Sequence, residues 1–412
     1  MLKLLVVAAL QVQPDVKRIK DKLKAEGIAA CVRLLLDQLD EWKNIDLNVA
    51  VIGNSGAGKS SFINAIRGLS GGQDGSAPVG VVQTTLKPSP YPHPDNTMLK
   101  FWDLPGVGTN LLPRKTYLSE INIDRYDFFL LLSANRFTEN DVWLSTEIRG
   151  RNKKYFFVRT KIGNDLSDIQ TAYSRTRPRP NEAYLEQIRQ DTKKNLKRIG
   201  CQNVPIFLID NHELHKFDFE KLKQRIIADF PELKRSSLIL SLQASSHEII
   251  RLKAKELRHR IWKWALLSAL LKIVQIPGIT AHDIITREAE FYVKRLGIGR
   301  ESLTRLYPAG TENYTRIELI VRGALGVENL SSFDMESCLR RVPLEPSPNA
   351  ASDAFFADVV GKVIVPVASC AGEYAKLKAI LGKLENAAME IANVVVEDIA
   401  RKGPLPKRLR IS

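Results

Sequence analysis

The sequence predicts an α/β protein with a mainly parallel, doubly wound sheet, flanked by N- and C-terminal helical segments. Three observations predict it. Short β-branched and aromatic runs alternate with helical stretches from Leu47 to about residue 230. The first of these runs, "LNVAVIG", leads into "NSGAGKS" and then a helix. Beyond about residue 235 the strand signal fades and apolar residues recur at helical spacing. Strand–helix alternation implies parallel strands joined by crossover helices. Such sheets bind ligands at the carboxyl ends of their strands.

Residues 16–43 repeat apolar positions (Ile19, Leu23, Ile28, Val32, Leu35, Leu39, Trp42) as an amphipathic helix or helix pair does. The strands expected next are "LNVAVIG", "MLKFWDL", "DFFLLLS", "KYFFVRT" and "VPIFLID". Between them, "NDVWLSTEIRGRN" and "NEAYLEQIRQDTKKNLKRIG" read as helices. Later helices are "SSHEIIRLKAKELRHRIWKWALLSALLKIV", "AHDIITREAEFYVKRLG" and Ala368 to Ile399, punctuated by Pro308, Pro343, Pro346, Pro348 and Pro366. The domains expected are 1–46 (helical), 47–234 (nucleotide domain), 235–400 (helical) and a basic tail, 401–412.

The chain has 412 residues, more than one ordinary core needs, so more than one domain is expected. Its 61 Lys and Arg against 46 acids give a net charge of +15, which favours an anionic partner. Nucleic acid is not expected, because no module with interleaved basic and aromatic stripes is present. Cys31, Cys201, Cys338 and Cys370 are far apart with no CxxC pair, which suggests neither a zinc site nor a disulfide framework. A reducing, cytoplasmic setting fits this usage. The apolar start "MLKLLVVAALQVQP" lacks a clear cleavage site, and no Gly follows Met1 for myristoylation. The run "WALLSALLKIVQIPGI" is interrupted by Lys272 and Gln275 and stopped at Pro277, too short to span a bilayer.

The segment Gly53, Asn54, Ser55, Gly56, Ala57, Gly58, Lys59, Ser60, Ser61 has the strand–GxxxxGK[ST]–helix pattern of a phosphate loop. Glycines let successive backbone N–H groups turn toward phosphate oxygens at a helix N-terminus. Lys59 would reach the outer phosphates, and the Ser60 hydroxyl would ligate magnesium. Downstream, "FWDLPGVG" ends a strand at Asp103, a second magnesium-side candidate. Leu104, Pro105 and Gly106 follow, with the Gly106 N–H placed to sense the γ-phosphate. Between the two, Thr84 and Thr85 are both candidates for a switch threonine closing over the metal. Base choice is expected from "VRTKIGND": Thr160 and Lys161 fit an Asn/Thr-Lys-x-Asp motif, but its Asp position is Gly163 and the next carboxylate is Asp165. Asp210 and Asn211 follow the last strand, where a backbone N–H meets the base carbonyl.

These motifs resemble the immunity-related GTPases, the interferon-inducible group called IRG. "GNSGAGKSSFINAIRG", "GVVQTTLKPSPYPHP", "FWDLPGVGT", "YDFFLLLSANRFTENDVWL", "FFVRTK" and "DFEKLKQRIIADFPELKR" carry the resemblance, which covers most of the chain. The loop looks like that of the GKS subclass. The resemblance implies a Ras-like P-loop G domain between helical segments, with GTP, GDP and Mg2+ as ligands. It also implies homo-oligomerisation through G domains in the GTP state, partnership with other IRG proteins, and peripheral action at intracellular, pathogen-containing membranes in innate immunity. It favours Thr85 as the switch threonine, so that Lys59, Thr85 and the residue two before it, Gln83, form the catalytic set, and Ser60, Thr85 and Asp103 the metal set.

Three positions depart from the pattern. Val107 stands where small GTPases commonly place a water-orienting Gln. Gln83 stands where GKS members carry a glutamate that assists catalysis across a head-to-head dimer. Gly163 stands for the base-reading Asp, a loss worth about 1.5–3 kcal/mol, or roughly tenfold to a hundredfold in affinity. Either Asp165 substitutes through a shifted loop or guanine selectivity weakens. A weakened but retained GTP preference is the reading adopted. The alternative is a nucleotide-binding scaffold with little turnover. The helix around Ile284, Ile285, Phe291, Val293 and Leu296 lies near the family's membrane-attachment helix, though core packing explains its apolar face as well. Arg401, Lys402, Lys407, Arg408 and Arg410 could meet anionic lipid or simply be solvated.

Overall fold

The computed structural model describes residues 15–80, 85, 87–107, 113–134, 137–173, 180–230, 232–274, 280–328, 330, 334–341 and 367–402. Gln83, Thr84 and the tail from 403 lie outside the described residues. The chain forms two compact units. One is built on Lys43–Gln243, the other on the segment ending at Trp42 joined by Ala244–Glu397.

The first unit contains β1 (Leu47–Gly53), α3 (Lys59–Arg67), β2 (Ser89–His93), β3 (Asn96–Asp103), α4 (Arg114–Glu120), β4 (Phe128–Ser133) and α5 (Glu139–Gly150). It continues with β5 (Tyr155–Arg159), α6 (Ile162–Tyr173), α7 (Asn181–Arg198), β6 (Ile206–Leu208), α8 (Phe219–Asp229) and α9 (Glu232–Ser241). The sheet order is β2-β3-β1-β4-β5-β6. Every pairing is parallel except that of β2 with β3. The five expected strands are all present. β2 was not expected, because "SPYPH" alternates prolines that cannot donate to a ladder. It is accommodated at the sheet edge, where only β3 flanks it.

β1, β4 and β5 are buried almost throughout, as strands covered on both faces must be. On one face Trp102, Tyr117, Tyr126, Phe129 and Phe157 pack with Leu144, Ile148 and Leu196 from α5 and α7. Because β1 pairs with β3 on one side and β4 on the other, the chain changes direction at its carboxyl end. That end is the topological switch point, where a ligand crevice is expected. α9 also belongs to this unit: the Asn96 side chain donates to Ser237 Oγ at 2.9 Å, with both residues buried. The boundary therefore lies at Gln243, not at the expected 234.

The second unit begins with the helix over 15–26 (α1) and α2 (Ile28–Asp40). These are the expected helix pair, divided at Gly27, whose φ of 79° is left-handed. It continues with α10 (His247–Leu271), α11 (Ala281–Arg295), α12 (Arg300–Leu306), α13 (Glu312–Leu325), α14 (Met335–Arg340) and α15 (Val367–Lys402). α15 buries Leu377, Ile380, Leu381, Leu384, Ala388, Ile391 and Val395, a stripe at three- and four-residue spacing. α11 buries Ile284, Ile285, Ala289 and Tyr292, and Leu296 just beyond it is buried too, while Phe291 and Val293 of the expected face are half-buried. Capping boxes set the starts of α5 at Thr138 and α11 at Thr280.

One buried ion pair fixes α10 against α11. Arg260 Nε and Nη2 donate to Glu288 Oε1 and Oε2 at 3.1 and 3.2 Å, and Nη1 donates to the Leu39 carbonyl at 2.7 Å. Glu288 is 1% exposed, and burial raises its pKa against the pull of Arg260. Removing one partner would leave the other charge buried. Glu288→Ala should therefore lower stability by roughly 3–5 kcal/mol in chemical denaturation. A midpoint equal to wild type would show the pair to be dispensable.

Candidate functional site

The loop after β1 is held open by backbone geometry. Gly53 has φ +147°, and a Cβ there would lie 2.0 Å from the Leu132 carbonyl oxygen of β4. Gly56 and Gly58 have φ +74° and +81°, a conformation side chains resist. The Phe62 N–H donates to the Gly58 carbonyl at 2.9 Å, opening α3 directly from the loop. Ser55 and Gly56 face solvent, while Ala57 is buried and Gly58, Ser60 and Ser61 are half-buried. Lys59 is buried and turns back over the loop, donating to the Gly53 and Asn54 carbonyls at 3.3 and 2.9 Å. Burial pushes its pKa down to about 8, with Asp103 opposing. A desolvated ammonium at a helix N-terminus is a strong anion receptor.

Asp103 lies at the end of β3, opposite Val51 of β1. Its Oδ2 accepts from Ser60 Oγ at 2.6 Å and from Thr85 Oγ1 at 2.9 Å. The residues predicted as the metal set are thus brought together. Burial raises the Asp103 pKa, opposed by Ser60, Lys59 and Thr85. Its Oδ1 is buried without a hydrogen-bond partner among the described residues. Two hydroxyls and an under-satisfied carboxylate form an all-oxygen set, which fits magnesium. Ser60, Thr85 and Asp103 would hold the ion.

The residues after Asp103 brace the loop. The Leu104 N–H donates to the Val51 carbonyl at 3.1 Å, and the Pro105 carbonyl accepts from the Tyr117 hydroxyl at 2.7 Å. A Cβ on Gly106 would meet Ser55 N at 2.7 Å, so only glycine lets this backbone approach the loop.

The base-reading corner is tied to the same loop. Thr160 Oγ1 donates to the Ala57 carbonyl at 2.8 Å, and Asn211 Nδ2 donates to the Gly58 carbonyl at 3.0 Å. Lys161 adopts φ 59°, a left-handed conformation uncommon for a residue with a side chain. Asp165 does not replace the missing carboxylate. It lies within α6, which already begins at Ile162, and its Oδ2 is paired with Arg159 Nη2 at 2.6 Å. What faces Gly163 is Asp210, whose Oδ2 accepts from the Gly163 N–H at 3.0 Å.

The sequence reading missed a polar bridge beside the loop. Asn54 Nδ2 donates to Thr138 Oγ1 at 3.0 Å, and Asn140 Nδ2 donates to Asn54 Oδ1 at 2.7 Å and to the Val107 carbonyl at 3.3 Å. Arg114 Nε and Nη2 both donate to Asn140 Oδ1. The Thr-Glu-Asn-Asp run at 138–141 is a legible capping signal, but its reach to Asn54 is tertiary. Val107 is 3% exposed in the core with Leu104, Tyr117 and Trp102. It therefore contributes no group to the phosphate site. Val107→Gln should bury an amide among apolar side chains and cost about 1–3 kcal/mol, read as a lower denaturant midpoint. Unchanged stability would show that the position opens to solvent.

The chain matches the family model for interferon-inducible GTPase (IIGP) over residues 12–322. It is 32% identical to Interferon-inducible GTPase 1 of Mus musculus over 334 residues, covering 78% of this chain and 80% of that protein. It is 33% identical to Interferon-inducible GTPase 5 of Rattus norvegicus over 322 residues, covering 77% and 69%. Among solved structures, Toc33 from Arabidopsis thaliana in complex with GDP and Mg2+ is 17% identical, covering 43% of this chain and 78% of that one at a TM-score of 0.30. With the family model matched over residues 12–322 and the phosphate loop leading into the Asp103 cluster, the chain belongs to the interferon-inducible, immunity-related GTPase family and is a GTPase that converts GTP to GDP and phosphate.

Proposed function

We propose that this GTPase completes its catalytic site by self-association through its G domains in the GTP state, and that it acts peripherally at intracellular membranes from the cytoplasm. The observation that carries the first part is the burial of Val107. The position that commonly orients the attacking water is turned into the core, so hydrolysis draws on a group from elsewhere. A second copy of the chain is the simplest source, and other members of the family are further candidate partners. The net charge of +15 supports attraction to an anionic membrane surface. Most of the apolar face of α11 is packed in its own unit, so the contact proposed is electrostatic. No helix among the described residues is long and apolar enough to cross a membrane.

The chain's own residues divide the work. Loop N–H groups between Gly53 and Ser60 bind the phosphates, and Lys59 sets its positive charge against the outer ones. The Ser60 and Thr85 hydroxyls converge on the Asp103 carboxylate. Held by these three residues, magnesium would supply positive charge to offset that developing on the phosphates.

Two measurements test this. GTP turnover per molecule should rise with protein concentration and be lost in Lys59→Ala. Turnover independent of concentration would overturn self-association while leaving the GTPase intact. The affinity for GDP should be level below about pH 7.5 and weaken as pH rises through 8. Burial holds the Lys59 pKa down at about 8, and a bound phosphate would hold its proton, so binding at higher pH needs proton uptake. Calorimetry between pH 7 and 9 reads this, with a flat profile contradicting the assigned role of Lys59.

A further inference from the structure

Another carboxylate stands beside Gly163, on the other side of the corner. A Cβ built on Gly163 would lie 2.8 Å from Asp210 Oδ2 and 3.6 Å from its Cγ. The space an aspartate at 163 would enter is therefore filled by the carboxylate of Asp210, which follows β6. An acid at both positions would clash sterically and place two negative charges in contact.

Asp210 is 6% exposed and is oriented by two backbone donors: Gly163 N–H to Oδ2 at 3.0 Å and His212 N–H to Oδ1 at 2.9 Å. A carboxylate offers about four acceptor sites, so these bonds leave capacity on both oxygens. The residue on each side of the corner is anchored to the phosphate loop, Thr160 on Ala57 and Asn211 on Gly58. The carboxylate is therefore held in fixed relation to the phosphate loop.

We propose that the Asp210 carboxylate reads the guanine edge, accepting hydrogen bonds from the N1–H and the exocyclic amine at C2. The proposal rests on the GTPase reading of this site. On this assignment Gly163 is not a loss of selectivity but the clearance that lets a carboxylate arrive from β6. Adenine is disfavoured because its N1 lone pair would face the carboxylate. Xanthine is disfavoured because its C2 carbonyl would do the same.

The test compares GDP, XDP and ADP binding to the full chain by calorimetry, for wild type, Asp210→Asn and the exchange variant Gly163→Asp/Asp210→Ala. Wild type should prefer GDP. Asp210→Asn, which offers an amide in place of a carboxylate, should lose GDP affinity by about tenfold to a hundredfold and gain XDP affinity, with ADP little changed. The exchange variant, with the carboxylate returned to position 163, should recover the GDP preference. Asp210→Asn with the wild-type GDP-to-XDP ratio, or with equal loss of all three ligands, would overturn the assignment while wild-type GDP binding upholds the GTPase reading. Wild type that binds none of the three would overturn both.

Discussion

A buried carboxylate and a buried ammonium share the carboxyl ends of β1 and β3, and the remainder of the nucleotide unit is arranged around them. Asp103 is fully buried and Lys59 nearly so. Burial opposes the charged form of each, while each eases the other. Two desolvated charges are a poor device for stability alone, since an apolar pair of similar volume commonly serves as well. They make sense as a receptor for phosphate and a hard cation, whose charges complete them. The parallel register that sets Val51 opposite Asp103 is what holds the two at one edge.

Backbone requirements around that pair are strict. Gly53 must pass the Leu132 carbonyl and Gly106 must lie against Ser55, so neither site accepts a side chain without movement of backbone. Thr160, Asn211 and Thr138 then secure the loop by hydrogen bonds to Ala57, Gly58 and Asn54. The helical unit is held by other means: the α15 stripe and the Arg260–Glu288 pair supply packing and orientation, and neither depends on a nucleotide.

Much of this was legible in the sequence, because local patterns encode it. The phosphate loop, the five parallel strands and the Asp103 position follow from apolar runs and spacing. β2 was not, since Pro90 and Pro92 argue against a strand unless it lies on an edge. The place of α9 depends on a contact between Asn96 and Ser237, which no local pattern records. Gly163 shows the limit most clearly. Read along the chain, the missing Asp points forward to Asp165, yet that residue pairs with Arg159 and the carboxylate beside Gly163 comes from Asp210. Likewise Val107 is visible in sequence as a residue unable to orient water, but its place in the core is a tertiary fact.

A metal-dependent triphosphate site at Asp103, Ser60 and Thr85 makes magnesium part of the nucleotide affinity. Its most direct test is the binding of a non-hydrolysable GTP analogue with and without magnesium, for wild type and Asp103→Asn. Magnesium should tighten binding strongly in wild type and far less in the variant. An equal gain from magnesium in both proteins would contradict it.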